Sequence, residues 1–342
     1  MNSADISPAD ALRANLAEQF GSPVTFATPV TSSEQGFESV IHFVRFAGAG
    51  LPPAWAEPLV IRVKPNIDAL SAAQREAAVL DWVADRHYPA PRVLAVYGPG
   101  EIAANPAQVM QRAPGDMLLD GVKKAPWTTR RRIRRLATLQ AQLHGLDPSD
   151  FPGDDDILAK RLRLPRRVAG EVGDAALTSG LERVEALTDR LGDAPAVVCH
   201  GDFHPLNAIA SGDHMAIIDW SDAALGDRHA DVSRTVLLLD LAAIAASNRV
   251  ERTALGVAGP MLSRSYRRAY TASAAVDPER LALWIPVHLL HMWSQAIAAH
   301  AGLLGGNDLA ERLPEQMVND LEHRFRGALA IADGHHPTTR PV

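Results

Sequence analysis

The stretch VVCHGDFHPLNAIASGDHMAIIDWSDAALGDRHAD, residues 197–231, decides how this chain is read. It opens on a short apolar run with the composition of a buried strand. GDFHPLN is polar and carries Gly and Pro, which marks a loop. AIA and MAII flank Ser211-Gly212-Asp213-His214, a hairpin-turn composition. Such a hairpin delivers Asn207 at one end and Asp219 at the other, and Asp202 sits on the same loop as Asn207. Two carboxylates and an amide are hard oxygen ligands. They suit Mg²⁺, which takes few protein oxygens together with waters and substrate phosphates. A further polar group beside the metal receives or orients a hydroxyl proton. These are the parts that phosphoryl transfer requires: charge neutralisation and a positioned nucleophile. A zinc site built from Cys199, His200, His204 and His214 is set aside, because these residues lack compact ligand spacing.

Working outward, the composition bounds the protein class. The 342 residues suggest two domains or one large unit with two lobes. Hydrophobic residues make up 47% and charged residues 22%, which fits a globular protein and excludes a mainly disordered one. The formal net charge of −6 speaks against a basic nucleic-acid binder. A single cysteine, Cys199, excludes an internal disulfide and is read as an inert buried thiol. MNSADISPAD has neither a basic start nor an apolar core. The most apolar stretch, VLLLDLAAIAA (236–246), is too short to span a bilayer and contains Asp240. The reading is a cytoplasmic protein with no membrane and no nucleic-acid partner.

The pattern changes near residue 113. Ser7-Pro8 opens a helix with Pro in its first turn. From Val24 to Val63, VTFATPV, SVIHFVRF and PLVIRVK read as strands, as do PRVLAVYG and AQVMQRA further on. A helix over 70–84 has apolar residues at helical intervals, with a capping box at Ser71 and Gln74. After Pro114-Gly115 nearly everything reads as helix except 197–220. Strands segregated from helices predict an α+β chain with two lobes: 1–113, 114–333, and a flexible tail over 334–342. TTRRRIRRLATLQAQLHGL is a helix with a solvated basic face, Trp284 and Trp293 are read as core rather than cleft lining, and His288/His291 as a half-buried helix pair rather than a metal site.

His200-Gly201-Asp202, four residues, then Asn207 resembles the catalytic loop of the kinase superfamily. The full HGDFHPLN loop, Ile218-Asp219-Trp220 and Gly226-Asp227 followed by Asp231 resemble the aminoglycoside phosphotransferase family specifically. That resemblance implies a protein-kinase-like fold, with a small sheet lobe holding one helix and a larger helical lobe. It implies Asp202 as the catalytic residue, Asn207 and Asp219 as Mg²⁺ ligands, and His200 and His204 as residues that orient the loop. It places Arg62, with Lys64 as the alternative, on the strand that binds phosphate, and Glu76 as their partner. Gln111 to Ala113 resemble the hinge that meets the nucleotide base. Ser33 and Gly36 lie on the loop over the phosphates, which carries one glycine where protein kinases have three.

The function implied is ATP- or GTP-dependent transfer of a phosphoryl group to a hydroxyl of a small molecule. An aminoglycoside-like acceptor is favoured; a macrolide, amino alcohol or sugar is the alternative. Asp222 and Asp227 either bind a cationic acceptor or cap helices and hold the loop. A non-catalytic nucleotide-binding protein on the same fold is the rival reading, and the presence of Asp202, Asn207 and Asp219 together argues against it.

Overall fold

The computed structural model of the chain describes residues 6–33, 39–120, 126–154, 156–245, 249–304 and 315–334. The chain divides into two compact units, one of Met1–Asp116 with Ile209–Ser221, the other of Met117–Ala208 with Asp222–Val342. The segment 209–221, placed in the second lobe by the sequence reading, thus groups with the first unit. Its anchors explain this. The Ile217 N–H donates to the Pro89 carbonyl at 2.8 Å. The buried Trp220 ring meets Tyr88 edge-on. Gly115, at φ +112°, lies so close to Ala210 that a Cβ would sit 2.2 Å from its carbonyl oxygen.

In the first unit, helix α1 (Pro8–Gln19) starts as read. The Ser7 hydroxyl accepts from the Asp10 amide at 3.1 Å, and Pro8 opens the first turn. Its Ala9, Leu12 and Leu16 join the core of a five-stranded sheet. The strands are β1 (Thr31–Ser33), β2 (Val40–Val44), β3 (Leu59–Val63), β4 (Val93–Tyr97) and β5 (Ala107–Gln111). They run antiparallel in the order β1-β2-β3-β5-β4. Alternation along β3 buries Leu59 and Ile61, so Arg62 lies on the opposite face. Helix α2 (Leu70–Asp85) packs on β4 and β5. Its expected capping box is not formed. A 3₁₀ turn at Ile67–Ala69 leads into it, and the Asn66 side chain accepts from the Asp68 amide. Ser71 and Gln74 therefore lie inside the helix, beyond the cap.

The second unit is helical, with α3 (Thr129–Leu143), α4 (Ile157–Val172), α5 (Ala175–Thr188), α6 (Arg228–Asp240), α7 (Arg249–Thr271), α8 (Pro278–His300) and α9 (Glu315–Ala332). A short antiparallel ribbon of β6 (Ala196–Cys199) and β9 (Ala224–Asp227) carries the loop of interest. Between them the chain forms the expected hairpin of β7 (Ala208–Ser211) and β8 (His214–Ile217). Helix α8 is apolar nearly all round because α4, α5, α6 and α9 surround it. It is long and apolar enough to cross a membrane, but 61% of its most apolar window is buried in protein, as a core helix requires. Trp284, Trp293, His288 and His291 are all buried there. On α3, Arg130, Arg131, Arg134 and Arg135 are exposed opposite a buried apolar stripe, the solvated basic face the sequence implied. Of the tail, residues 335–342 lie outside the described residues.

Candidate active site

In the first unit the chemistry gathers at the end of β3. Arg62 ends the outward face of the strand and Lys64 follows it. Glu76, on the inner face of α2 and only 2% exposed, meets both. Arg62 Nη1 donates to Glu76 Oε1 at 2.8 Å, and Lys64 Nζ donates to Oε2 at 2.6 Å. The two cations read as alternatives in the sequence thus share one carboxylate. A charge this buried is stable only when paired, and Glu76 has one partner per oxygen. Arg62 also reaches Asp219 Oδ1 through Nη2 at 3.2 Å and Ser39 Oγ through Nε at 3.2 Å. Asp219 has φ +62°, a left-handed conformation that costs a non-glycine residue roughly 1–2 kcal/mol. Such strain is concentrated at functional positions. The Ser221 hydroxyl adds a bond to Asp219 Oδ1 at 3.0 Å.

At the hinge, the Gln111 amide already donates to Arg92 and the Arg112 amide to Pro58, both at 2.9 Å. Of the three positions expected to meet the base, two thus have their amides engaged within the first unit. Ser33 ends β1, and Gly36 lies outside the described residues.

In the second unit, β6 leads into the loop 200–207. The amides of His200 and Gly201 donate to Asp231 on α6, at 3.0 and 2.7 Å. His200 is fully buried, and its Nδ1 accepts from the Asp202 amide at 3.3 Å. Gly201 sits at φ +82°, with the Asp222 carbonyl 2.4 Å from where a Cβ would be. A side chain at 201 would push the loop away. Asp231 also accepts from Gln140 Nε2 at 3.0 Å and pairs with His144 Nε2 at 3.1 Å. Burial opposes its ionisation, but His144 and the His200 amide outweigh this and pull its pKa down to about 2.

The Asp202 carboxylate is held on both oxygens. Oδ1 accepts from Arg234 Nε at 3.2 Å and Nη2 at 3.1 Å. Oδ2 accepts from His204 Nε2 at 3.0 Å and Asn207 Nδ2 at 3.2 Å. His204 Nδ1 accepts the Leu206 amide at 3.2 Å, so its proton sits on Nε2 and points at Asp202. Burial raises the Asp202 pKa, but His204 and Arg234 outweigh it and hold the group well below the usual carboxylate range. Asn207 Nδ2 also donates to the Asp202 carbonyl at 3.0 Å, which leaves Asn207 Oδ1 as the atom offered to a ligand.

The two acids left open between acceptor binding and structure are engaged within the unit. Asp227 is 7% exposed and caps α6 through the His229 amide at 3.0 Å. It also pairs with the His229 ring and Arg280 and accepts from Trp284 Nε1 at 2.9 Å. Asp222 pairs with Arg161 Nη1 at 2.9 Å, and Arg161, 1% exposed, donates as well to the Gly201 carbonyl.

His144, Cys199 and Asp231 come close enough to share a metal ion. Their donors are engaged otherwise. His144 Nδ1 bonds the Tyr270 hydroxyl at 2.6 Å, and Asp231 carries the four bonds above. Burial raises the Cys199 pKa well above the ordinary thiol value, so it stays protonated. This cluster is a hydrogen-bonded core, as the inert-thiol reading implied.

Buried histidines set the acid stability. Burial, and then the Arg161 charge, lower the His291 pKa from 6.5 to about 4, and burial, Arg161 and Arg234 hold His288 well below the usual histidine value. Between pH 6.5 and 4 the unfolded chain binds protons at these sites while the folded chain does not, so stability falls as pH drops. His291 alone is expected to remove about 3 kcal/mol across that window. Urea midpoints at pH 7.5 and pH 5 measure it; equal midpoints would contradict buried neutral histidines.

Arg161 and Arg234 were not singled out from the sequence. Asp231 was named in the family-like block, but its tie to the loop is tertiary. The two arginines sit in helices α4 and α6 with nothing local to mark them.

A model of the phosphotransferase enzyme family (APH) matches residues 52–284. Acyl-CoA dehydrogenase family member 10 of Mus musculus is 26% identical over 252 residues, 67% of this chain and 22% of the mouse protein. The chain thus spans about a fifth of that relative's length. Among solved structures, an aminoglycoside-3'-phosphotransferase of type VIII superposes with TM-score 0.57 at 23% identity, over 85% of this chain and all of its own. The apo form of a thermostable mutant of aminoglycoside phosphotransferase APH(4)-Ia gives 0.61 at 16%, over 94% and 99%. Another mutant of that enzyme is known in a ternary complex with ADP and hygromycin B. A choline/ethanolamine kinase family protein from Mesorhizobium loti gives 0.57 at 17%, over 96% and 97%. At these identities the structures establish the fold, a kinase-like one with a small sheet lobe and a helical lobe. The family model covers well over half of the sequence, and this chain belongs to the phosphotransferase enzyme family.

Proposed function

We propose that the protein transfers the γ-phosphoryl group of a nucleoside triphosphate to a hydroxyl of a small molecule. The observation that carries this is the Asp202 carboxylate, held ionised by donors on both oxygens at the head of an HGDFHPLN loop. A carboxylate with so low a pKa is a weak base. It suits a reaction with a loose transition state, in which the nucleophile is oriented and its proton leaves late. Asp202 then accepts a hydrogen bond from the acceptor hydroxyl and takes the proton as the new bond forms. Arg62 and Lys64, fixed by Glu76, present positive charge to the phosphates. The Ala113 amide is the hinge donor to the base.

Each of the two expected Mg²⁺ ligands offers a hard oxygen within its own unit: the Asp219 carboxylate in the first, and in the second the Asn207 oxygen left over when its amide nitrogen donates to Asp202. When bound, the ion would neutralise phosphate charge. These residues would hold it.

Acceptor charge is where the geometry refines the reading. An aminoglycoside brings several ammonium groups and needs carboxylates to receive them. Asp222 is neutralised by Arg161, and Asp227 by Arg280. We therefore favour a neutral or anionic alcohol, such as a sugar or a hydroxy acid, over a polycationic aminoglycoside. Matched acceptors tested with Mg-ATP and Mg-GTP decide this. Product is expected on neutral or anionic alcohols, at least about tenfold faster than on kanamycin-type polycations. Faster transfer to the polycation would overturn the acceptor class.

A further inference from the structure

The loop that carries Asp202 is fastened to one face of α6. Asp231, Arg234 and Thr235 stand at i, i+3 and i+4, neighbours on a helix surface. Asp231 takes the amides of His200 and Gly201. Arg234 takes the Asp202 carboxylate. The Thr235 hydroxyl donates to the Phe203 carbonyl at 2.6 Å. Three side chains thus hold four consecutive loop residues, and only Arg234 reaches the group that does the chemistry.

Resting on the reading of Asp202 given above, we infer that Arg234 is a positioning residue for phosphoryl transfer, fixing the rotamer of the Asp202 carboxylate. Two nitrogens of the guanidinium converge on one carboxylate oxygen. This leaves the carboxylate little freedom to turn, which a single ammonium donor does not achieve. Arg234 is 8% exposed and lies near Arg161, a like charge. A buried cation in that setting persists only with an anionic partner, and the ion pair it makes is with Asp202. Its remaining nitrogen, Nη1, is buried without a hydrogen-bond partner. The helix therefore tolerates an imperfectly satisfied arginine where an apolar residue would pack more simply. That cost is understandable if the fork on Asp202 is what the position supplies.

The test uses Arg234→Met and Arg234→Lys in the full chain. Crystal structures read the Asp202 rotamer, and transfer kinetics are measured beside them. In Arg234→Met the Asp202 carboxylate should turn from its present rotamer. Its kcat should fall about 10²-fold, with KM for nucleotide within a few-fold of the parent. Arg234→Lys keeps the charge but not the fork, so kcat should fall about tenfold, again with little change in KM. A purely structural arginine would lower thermal stability and leave both the rotamer and kcat of the folded protein unchanged; that result overturns the inference. If Arg234→Met does not fold, Arg234→Lys decides alone, and an unchanged kcat in it counts against the inference. If the parent transfers no phosphoryl group, a turned Asp202 carboxylate in the variant still supports the hold on Asp202 while the phosphotransferase reading falls.

Discussion

Asp202→Asn is expected to lower turnover by about 10²–10⁴-fold while leaving Mg-nucleotide affinity within a few-fold of the parent. The substitution keeps size and one oxygen. An Asn turned so that its oxygen faces Arg234 puts its NH₂ against the donors of His204 and Asn207, which now meet another donor. It can neither accept the acceptor proton nor keep the present bonds. Arg234 also loses its ionic partner, so a fall in melting temperature should accompany the loss of activity. Separate measurement of kcat on folded protein and of nucleotide binding by calorimetry resolves the two effects. Near-parental turnover in the folded variant would remove Asp202 from the chemistry.

The second large effect belongs to Glu76. Glu76→Ala leaves Arg62 and Lys64 side by side with the carboxylate between them gone. Removing one member of a buried ion pair costs about 3–5 kcal/mol, and here two cations lose the same partner. KM for the nucleotide should rise at least about tenfold, because both cations lose the carboxylate they share, while a larger share of the folded population is lost on mild heating. A solvated helix glutamate would give neither change. Unaltered melting temperature together with unaltered KM would therefore contradict the assignment.

How much of this was legible beforehand depends on the range of the interaction. The order His200, Asp202, Asn207, Asp219 is a local pattern, and it led directly to the fold. β3 and α2 were readable from alternation and helical spacing, so Arg62 and Glu76 could be proposed before their contact was seen. The cap of α2 was misplaced, because Asn66 acts through a 3₁₀ turn that periodicity does not register. The pairing of β9 with β6 was likewise silent, since ALGD has little strand character of its own. The membership of 209–221 in the first unit rests on Pro89, Tyr88 and Gly115, residues roughly a hundred positions away. The roles of Asp222 and Asp227 turned on Arg161 and Arg280, which only the folded chain brings to them. Local order pointed to the candidates for chemistry; which of their charges are already paired is a tertiary property.

Phosphoryl transfer is read by mass spectrometry with ATP carrying ¹⁸O in its γ-phosphoryl group, Mg²⁺, and a pooled set of neutral, anionic and cationic alcohols. An acceptor is expected to gain the labelled phosphoryl group with the parent protein and not with Asp202→Asn. Label released only as inorganic phosphate, or equal product from both proteins, would contradict it.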